Sequence, residues 1–317
     1  MTTALPLKED LSADLTREGG VDDIEKRDVQ AAYDGSNVLF RLLRLTTWGP
    51  ALMNLGYFRF RGPFALLNLF EDLESTQRRL VLKTLSLLKI APGQQVLDVA
   101  CGRGMSSFMM HCTEPQASIT GMDLLPQNVE VARVLFGQSP GLSYGVGNAM
   151  ELPFPDGSFD RVQCLEAAFH FPSRARFLQE AFRVLRPGGR LVVVDFVWNN
   201  EEERRRRDHP LTRMIRDIWQ WDDFFTSADY QQSAVAAGFS NAETLDWSRR
   251  VTGPFQATFH WVLALGRRAW GRKLLLRANP MFRHLSPGDW EDLTEIAKAH
   301  DHVRDRSKYM AYAYVKA

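Results

Sequence analysis

The chain has 317 residues, 45% of them hydrophobic and 24% charged, enough for one large domain with additions or two small ones. Lys plus Arg is 39 against 38 for Asp plus Glu, a balance that argues against a nucleic-acid protein held by one broad basic face. No apolar run approaches the length of a membrane span, and the polar, acidic N-terminus has no apolar signal-peptide region. Cys101, Cys112 and Cys164 are an odd number without metal-site spacing. They read as reduced residues, with Cys101 and Cys164 in or beside core strands, and the expected location is cytoplasmic.

Residues 1–28 read as a loose, charged arm. Residues 29–90 read as a helical lid, because Val38, Leu39, Leu42, Leu43 and Leu45 recur at helical spacing, as do Leu80, Leu82, Leu85, Leu87 and Leu88. Between these runs lie Trp48-Gly49-Pro50 and Asn54-Leu55-Gly56-Tyr57-Phe58. The second is either core packing under a loop or a flap that turns Tyr57 toward a reaction centre.

Ala91-Pro92-Gly93 opens the core, 91–198, where short apolar strands alternate with helices. Strands are predicted at 95–100, 118–123, 142–147, 159–165 and 189–197, and helices at 104–112, 126–136 and 173–186. This alternation makes a mostly parallel sheet with helices on both faces, whose ligands bind beyond the carboxyl ends of the strands.

The first strand carries Asp98 and ends at Cys101-Gly102-Arg103-Gly104, a turn that glycine accommodates and that opens a helix. Gly-x-Gly by itself also fits an ordinary strand-turn-helix corner. Here the third small position of a dinucleotide fingerprint is Ser107, and Asp98 would repel a pyrophosphate but attract an ammonium. Asp123 closes the second strand about twenty residues past the glycine turn, where a carboxylate meets ribose hydroxyls. Its alternative role is capping the helix near Pro126. Asn148, at a strand end, offers donor and acceptor to an adenine edge.

After the fifth strand, residues 199–230 form a cap insert. Glu201 to Glu203 followed by Arg204 to Arg207 read as a solvated helix with i,i+4 pairs. Met214, Ile215, Ile218, Trp219, Trp221, Phe224 and Phe225 read as a wall over an apolar or aromatic substrate, or as plain packing. A helix at 227–237 returns the chain to the core, and residues 231–317 supply its remainder, with a strand near 242–250, a helical insert at 255–300, and a last strand from Tyr309 to Val315. His300-Asp301-His302 reads as exposed polar surface, and oligomerisation through the helical segments is open.

The segments V-L-D-V-A-C-G-R-G (96–104), G-M-D (121–123), G-N-A-M-E-L-P-F (147–154), F-D-R-V (159–162) and L-R-P-G-G-R-L (185–191) together resemble a class I S-adenosylmethionine-dependent methyltransferase. The resemblance implies a Rossmann-like α/β fold with a mostly parallel sheet, an antiparallel last strand, and helical N-terminal and C-terminal cap segments. It implies S-adenosyl-L-methionine as cofactor. Asp98, Gly102 and Gly104 would surround the methionine end, Asp123 the ribose, and Asn148 with Ala149 the adenine. Ala100, Leu124 and Leu165 would also belong to the cofactor site. Asn148 stands where many relatives carry Asp.

A narrower resemblance, to sterol C-methylating and natural-product O-methylating enzymes, rests on Leu165-Glu166-Ala167-Ala168-Phe169-His170, on Asn54 to Phe58 and on Asp246-Trp247-Ser248. It implies methyl transfer to an oxygen or carbon of a largely apolar small molecule, with no nucleic acid and no metal. His170 would be the base with Asp195 orienting it, and Glu166 and Tyr57 are further catalytic candidates. The competing expectations are an NAD-dependent oxidoreductase and a non-catalytic S-adenosylmethionine-binding subunit.

Overall fold

A computed structural model describes residues 38, 39, 52–61, 64, 67, 68, 71, 73–221, 224–278 and 280–317. The expected arm at 1–28 lies outside the described residues. So do Leu42, Leu43, Leu45 and the Trp48-Gly49-Pro50 turn.

The first long element is helix α1 (Leu73–Leu88), followed by β1 (Gln95–Val99), α2 (Met105–Thr113), β2 (Ser118–Asp123), α3 (Pro126–Phe136), β3 (Leu142–Val146) and β4 (Phe159–Leu165). A 3-10 turn (Ala168–His170) leads to α4 (Arg174–Val184) and the long β5 (Leu185–Trp198). Then come α5 (Glu202–Arg205), α6 (Pro210–Trp219), α7 (Ser227–Ala237), β6 (Phe239–Asp246), α8 (Thr252–Gly266), α9 (Ala269–Ala278), α10 (Pro287–Arg304) and β7 (Ser307–Lys316).

The seven strands form one sheet in the order β3-β2-β1-β4-β5-β7-β6. Strands 1 to 5 pair in parallel, and β7 runs antiparallel to both β5 and β6. Successive residues of a strand point to opposite faces, and the buried side chains sort accordingly. Val96, Val192, Val194, Tyr309, Ala311 and Ala313 meet one core cluster, with Leu80, Leu85 and Leu88 of α1, Met109 and Met110 of α2, and Val129 and Ala132 of α3. Leu97, Val99, Leu191, Val193, Tyr312 and Tyr314 meet the other, with Phe177, Leu178 and Ala181 of α4 and Tyr230 and Ala234 of α7.

Helix α1 therefore covers a face of the sheet, and the segment expected as a lid contributes part of the core. A third cluster joins Val38 and Leu39 to Phe259, Leu263, Leu275, Phe282 and Leu293 of the helical insert. A fourth joins Trp198 to Ile215, Trp221, Phe224 and Val303. These two clusters build a helical cap beyond the carboxyl end of β5. The charged run at α5 keeps an i,i+4 pair, Arg206–Glu202 at 2.8 Å, but Glu203 is buried against Arg306 at 3.3 Å.

Candidate active site

The carboxyl ends of β1, β2 and β4 open into a cavity of about 460 Å³. From Val96 on, β1 is apolar except at Asp98, whose parity turns it toward α2, and the chain then bends through Ala100 (φ 55°), Gly102 (φ 56°) and Gly104 (φ 86°). Asp98 is buried and accepts hydrogen bonds from Ser107 Oγ (2.7 Å) and Gln163 Nε2 (3.1 Å). Burial pushes its carboxyl up from 3.8 to about 6, so a cation in the cavity would restore the charged form. A side chain at Gly102 would meet Met53 Cε at 2.8 Å, across the cavity mouth.

Gly104 has a different role from the one expected. It does not line the cavity; a Cβ there would meet Ala132 at 2.7 Å and the Tyr144 ring at 2.8 Å. Its glycine is required by the packing of α3 and β3 against the turn and by its positive φ.

Asp123 takes its alternative role at the start of α3. Its Oδ2 accepts from Gly102 N at 2.8 Å, tying β2 to the glycine turn, while Oδ1 accepts from Leu125 N and Asn128 Nδ2 at the start of α3. It also lines the cavity, with Leu124, Asn148, Ala149 and Leu165. Asn148 Oδ1 accepts from Met150 N at 2.9 Å, which holds the loop at the strand end.

On the far wall stand Glu166, His170 and Gln220. Glu166 adopts φ 50°, a strained conformation for a non-glycine residue. Its carboxyl accepts from Leu55 N (3.0 Å) and from the Tyr309 hydroxyl, so it joins the Asn54–Phe58 stretch to the sheet. Burial raises it from 4.5 to about 8. His170 Nδ1 lies 3.4 Å from the Gln220 carbonyl, and burial lowers the ring from 6.5 to about 4, so it is neutral near pH 7.

Two expected catalytic residues lie elsewhere. Asp195 has the parity of Leu191 and Val193, and so faces α4 and α7 rather than the cavity. It is fully buried, paired with Arg174 Nε at 2.7 Å, and accepts from the Tyr230 hydroxyl. Tyr57 packs edge-on against Trp247, with ring centroids 5.7 Å apart and Lys83 Nζ 5.8 Å from its own. The stretch turns at Gly56 (φ 90°), where a Cβ would strike Thr76 Oγ1 at 2.2 Å. That turn sends Tyr57 to α1, and Leu52, Met53 and Asn54 line the cavity instead. Met53, Ser106, Asn128, Gln163 and Gln220 were not singled out from sequence, because each reaches the site through the fold and none belongs to a local motif.

A second, apolar cavity of about 60 Å³ lies beyond the far wall. Leu55, Phe169 and Trp221, sequence neighbours of Asn54, His170 and Gln220, line it with Phe196, Phe259 and His300. His300 accepts from Trp219 Nε1 at 2.9 Å, so the histidine expected on the surface is part of the cap interior. Among the described residues no group of three or more His, Cys, Asp or Glu is placed to hold a metal ion.

Residues 97–193 match the family model described as a methyltransferase domain. The chain is 36% identical over 165 residues to a 2-methyl-6-phytyl-1,4-hydroquinone methyltransferase of Synechocystis sp., covering 50% of this chain and 51% of that one. It is 38% identical over 128 residues to an O-methyltransferase of Aspergillus sclerotiorum, covering 39% and 48%. The chain thus spans about half the length of these curated relatives. Among solved structures, a geranyl diphosphate C-methyltransferase from Streptomyces coelicolor A3(2) aligns with a TM-score of 0.67 at 14% identity, over 94% of this chain and all of that one. The [4+2]-cyclase SpnF aligns at 0.63 with 19% identity, over 92% and 96%. These two likenesses concern the fold alone. The match places a methyltransferase domain at residues 97–193, on the strands whose carboxyl ends open into the cavity.

Proposed function

We propose that this chain transfers a methyl group from S-adenosylmethionine to an oxygen or carbon of a largely apolar small molecule. One observation carries the reading: a cavity with buried carboxylates at one end is separated from an aromatic cavity only by Glu166, His170 and their neighbours. The donor supplies a methyl group on a positively charged sulfur. Asp98 would hold its ammonium, Asp123 its ribose hydroxyls, and Asn148 with Ala149 its adenine, between Leu124 and Leu165. Small-molecule methyltransferases among the relatives support an acceptor of this size, and the aromatic lining supports its apolar character. The free thiols Cys101, Cys112 and Cys164 support a reducing compartment such as the cytoplasm.

The far wall offers two bases. With its proton on Nδ1 toward Gln220, His170 carries a lone pair on Nε2 and can accept a proton from an acceptor hydroxyl. Glu166, held by Tyr309 and Leu55, can accept one from carbon once ionised. Raised to about 8, it is largely neutral at pH 7 and becomes a base only as pH rises.

The test is turnover with radiolabelled methyl donor across a panel of phenolic, quinol and prenyl acceptors. With an oxygen acceptor, His170→Ala should lower turnover by roughly 10²–10⁴-fold at unchanged S-adenosylhomocysteine affinity, and the rate should fall only as pH drops toward 4. Full activity of that variant at saturating acceptor removes the histidine base. A rate that instead climbs through pH 8 and is abolished in Glu166→Gln assigns the step to carbon. Cofactor binding without methyl transfer to any acceptor favours the non-catalytic reading.

A further inference from the structure

Residues 247–288 contain eight Arg or Lys and no Asp or Glu, in a chain whose net charge is +1. The fold gathers part of this charge on one surface. Helix α8 starts in the acceptor-side cavity, which Phe255, Gln256 and Phe259 line, and runs outward to the exposed Arg267 and Arg268. Helix α9 then lies on the cap with Gly271 and Leu275 turned inward. The other side chains from Ala269 to Arg277 face solvent, and they include large apolar groups: Trp270 is 57% exposed, Leu274 51% and Leu276 38%. Trp261, on α8, is 44% exposed.

Arg272, Lys273 and Arg277 are interleaved with these apolar residues, and the Arg268 guanidinium sits 5.9 Å from the Trp270 ring centroid. Among the described residues no carboxylate forms a salt bridge with Arg268, Arg272, Lys273 or Arg277, whereas cations along α10 are paired, Lys298 with Glu295 and Arg304 with Asp301. A cluster of exposed tryptophan and leucine rimmed by cations is the character of a surface that docks on something.

We propose that α9 and the end of α8 dock on the surface of an anionic lipid bilayer. Trp270, Leu274 and Leu276 enter the boundary between headgroups and acyl chains, and Arg268, Arg272 and Lys273 meet lipid phosphates. A nucleic acid would use the cations but leave the two leucines exposed, which is why lipid is the better fit. No helix among the described residues is long and apolar enough to span a membrane, so the contact is peripheral. Because α8 joins this surface to the aromatic cavity, an apolar acceptor dissolved in the bilayer would have a short route to the site.

The experiment is co-flotation of the full chain with phosphatidylcholine vesicles, either pure or containing about 30 mol% phosphatidylglycerol. It requires no turnover, so its outcome is independent of the methyl-transfer reading. The wild type should float with anionic vesicles at least roughly tenfold better than with neutral ones, less so as salt is raised. Combined Arg268→Glu, Arg272→Glu and Lys273→Glu should abolish the preference. Combined Trp270→Ala and Leu274→Ala should weaken binding several-fold. Unchanged melting temperature and S-adenosylhomocysteine affinity would show that both variants are folded. The proposal fails if the wild type does not float, or if both folded variants float like it. It also fails if single-stranded RNA binds where vesicles do not, or if the surface proves to hold a second copy, with a dimer that Trp270→Ala dissolves and no vesicle binding.

Discussion

The cofactor end and the cap solve the same problem, lining a cavity, by different means. At the cofactor end, the polar groups sit at strand termini and are held mostly by bonds spanning 21 residues or fewer, Asp123 to Gly102 and Leu125, Asp98 to Ser107 and Asn148 to Met150, with Gln163 reaching Asp98 across 65. In the cap, the lining is aromatic and arrives from distant segments, with Trp219 meeting His300 across 81 residues and Leu55 meeting Glu166 across 111. A cofactor shared across many acceptors favours a locally encoded site, while acceptor choice is carried by side chains that can change without disturbing the sheet.

The comparison is broken most severely by attacking what lies beneath both regions. Asp195→Ala leaves the Arg174 guanidinium buried without its carboxylate and should destabilise the protein by about 3–5 kcal/mol, read in urea unfolding. A folded, stable variant with lost turnover would instead return Asp195 to the acceptor site. Gly104→Val should cost about 2–4 kcal/mol, because a branched side chain at φ 86° must also displace Ala132 and Tyr144. Its melting temperature should fall whether or not ligand is present.

Asp98→Asn tests the cofactor end alone. Losing a hydrogen bond to a charged group should weaken S-adenosylhomocysteine by roughly 1.5–3 kcal/mol in calorimetry. In the wild type, affinity should rise with pH up to about 6 and then level, because only the carboxylate attracts an ammonium. Stability of the ligand-free protein should run the other way. Both Asp98 and Glu166 have folded values above their unfolded ones, so the fold binds more protons and loses stability as pH rises from about 4 to about 8. Proton uptake rather than release on cofactor binding near pH 6 would contradict this.

The smallest effect belongs to the cap. Trp219→Phe removes the bond to His300 and should raise acceptor KM by a few-fold, about 1 kcal/mol, at constant cofactor affinity. A change in cofactor affinity as well would mean that the two regions are not separable.

The bounds of β1 to β4, the glycine turn and the Asp98–Asp123 spacing were legible in the chain because each depends on residues close in sequence, whereas β5 begins at Leu185 rather than 189 and β6 spans Phe239–Asp246 rather than 242–250. The two core faces follow from strand parity, which sorts Val96 from Leu97. What the sequence could not determine was which of several nearby polar residues reach the cavity. Asp195 looked like a partner for His170, but it lies on the strand face closed by α4 and α7, where Arg174 and Tyr230 meet it. Tyr57 looked like a flap residue, but the turn at Gly56 against Thr76 sends it toward α1 and leaves Met53 and Asn54 at the cavity. His300 looked exposed until Trp219 covered it. Each of these outcomes is decided by contacts between segments far apart in the chain. Such contacts exist only once the sheet has set the faces and the helices have closed over them, so periodicity and motif spacing carry no record of them.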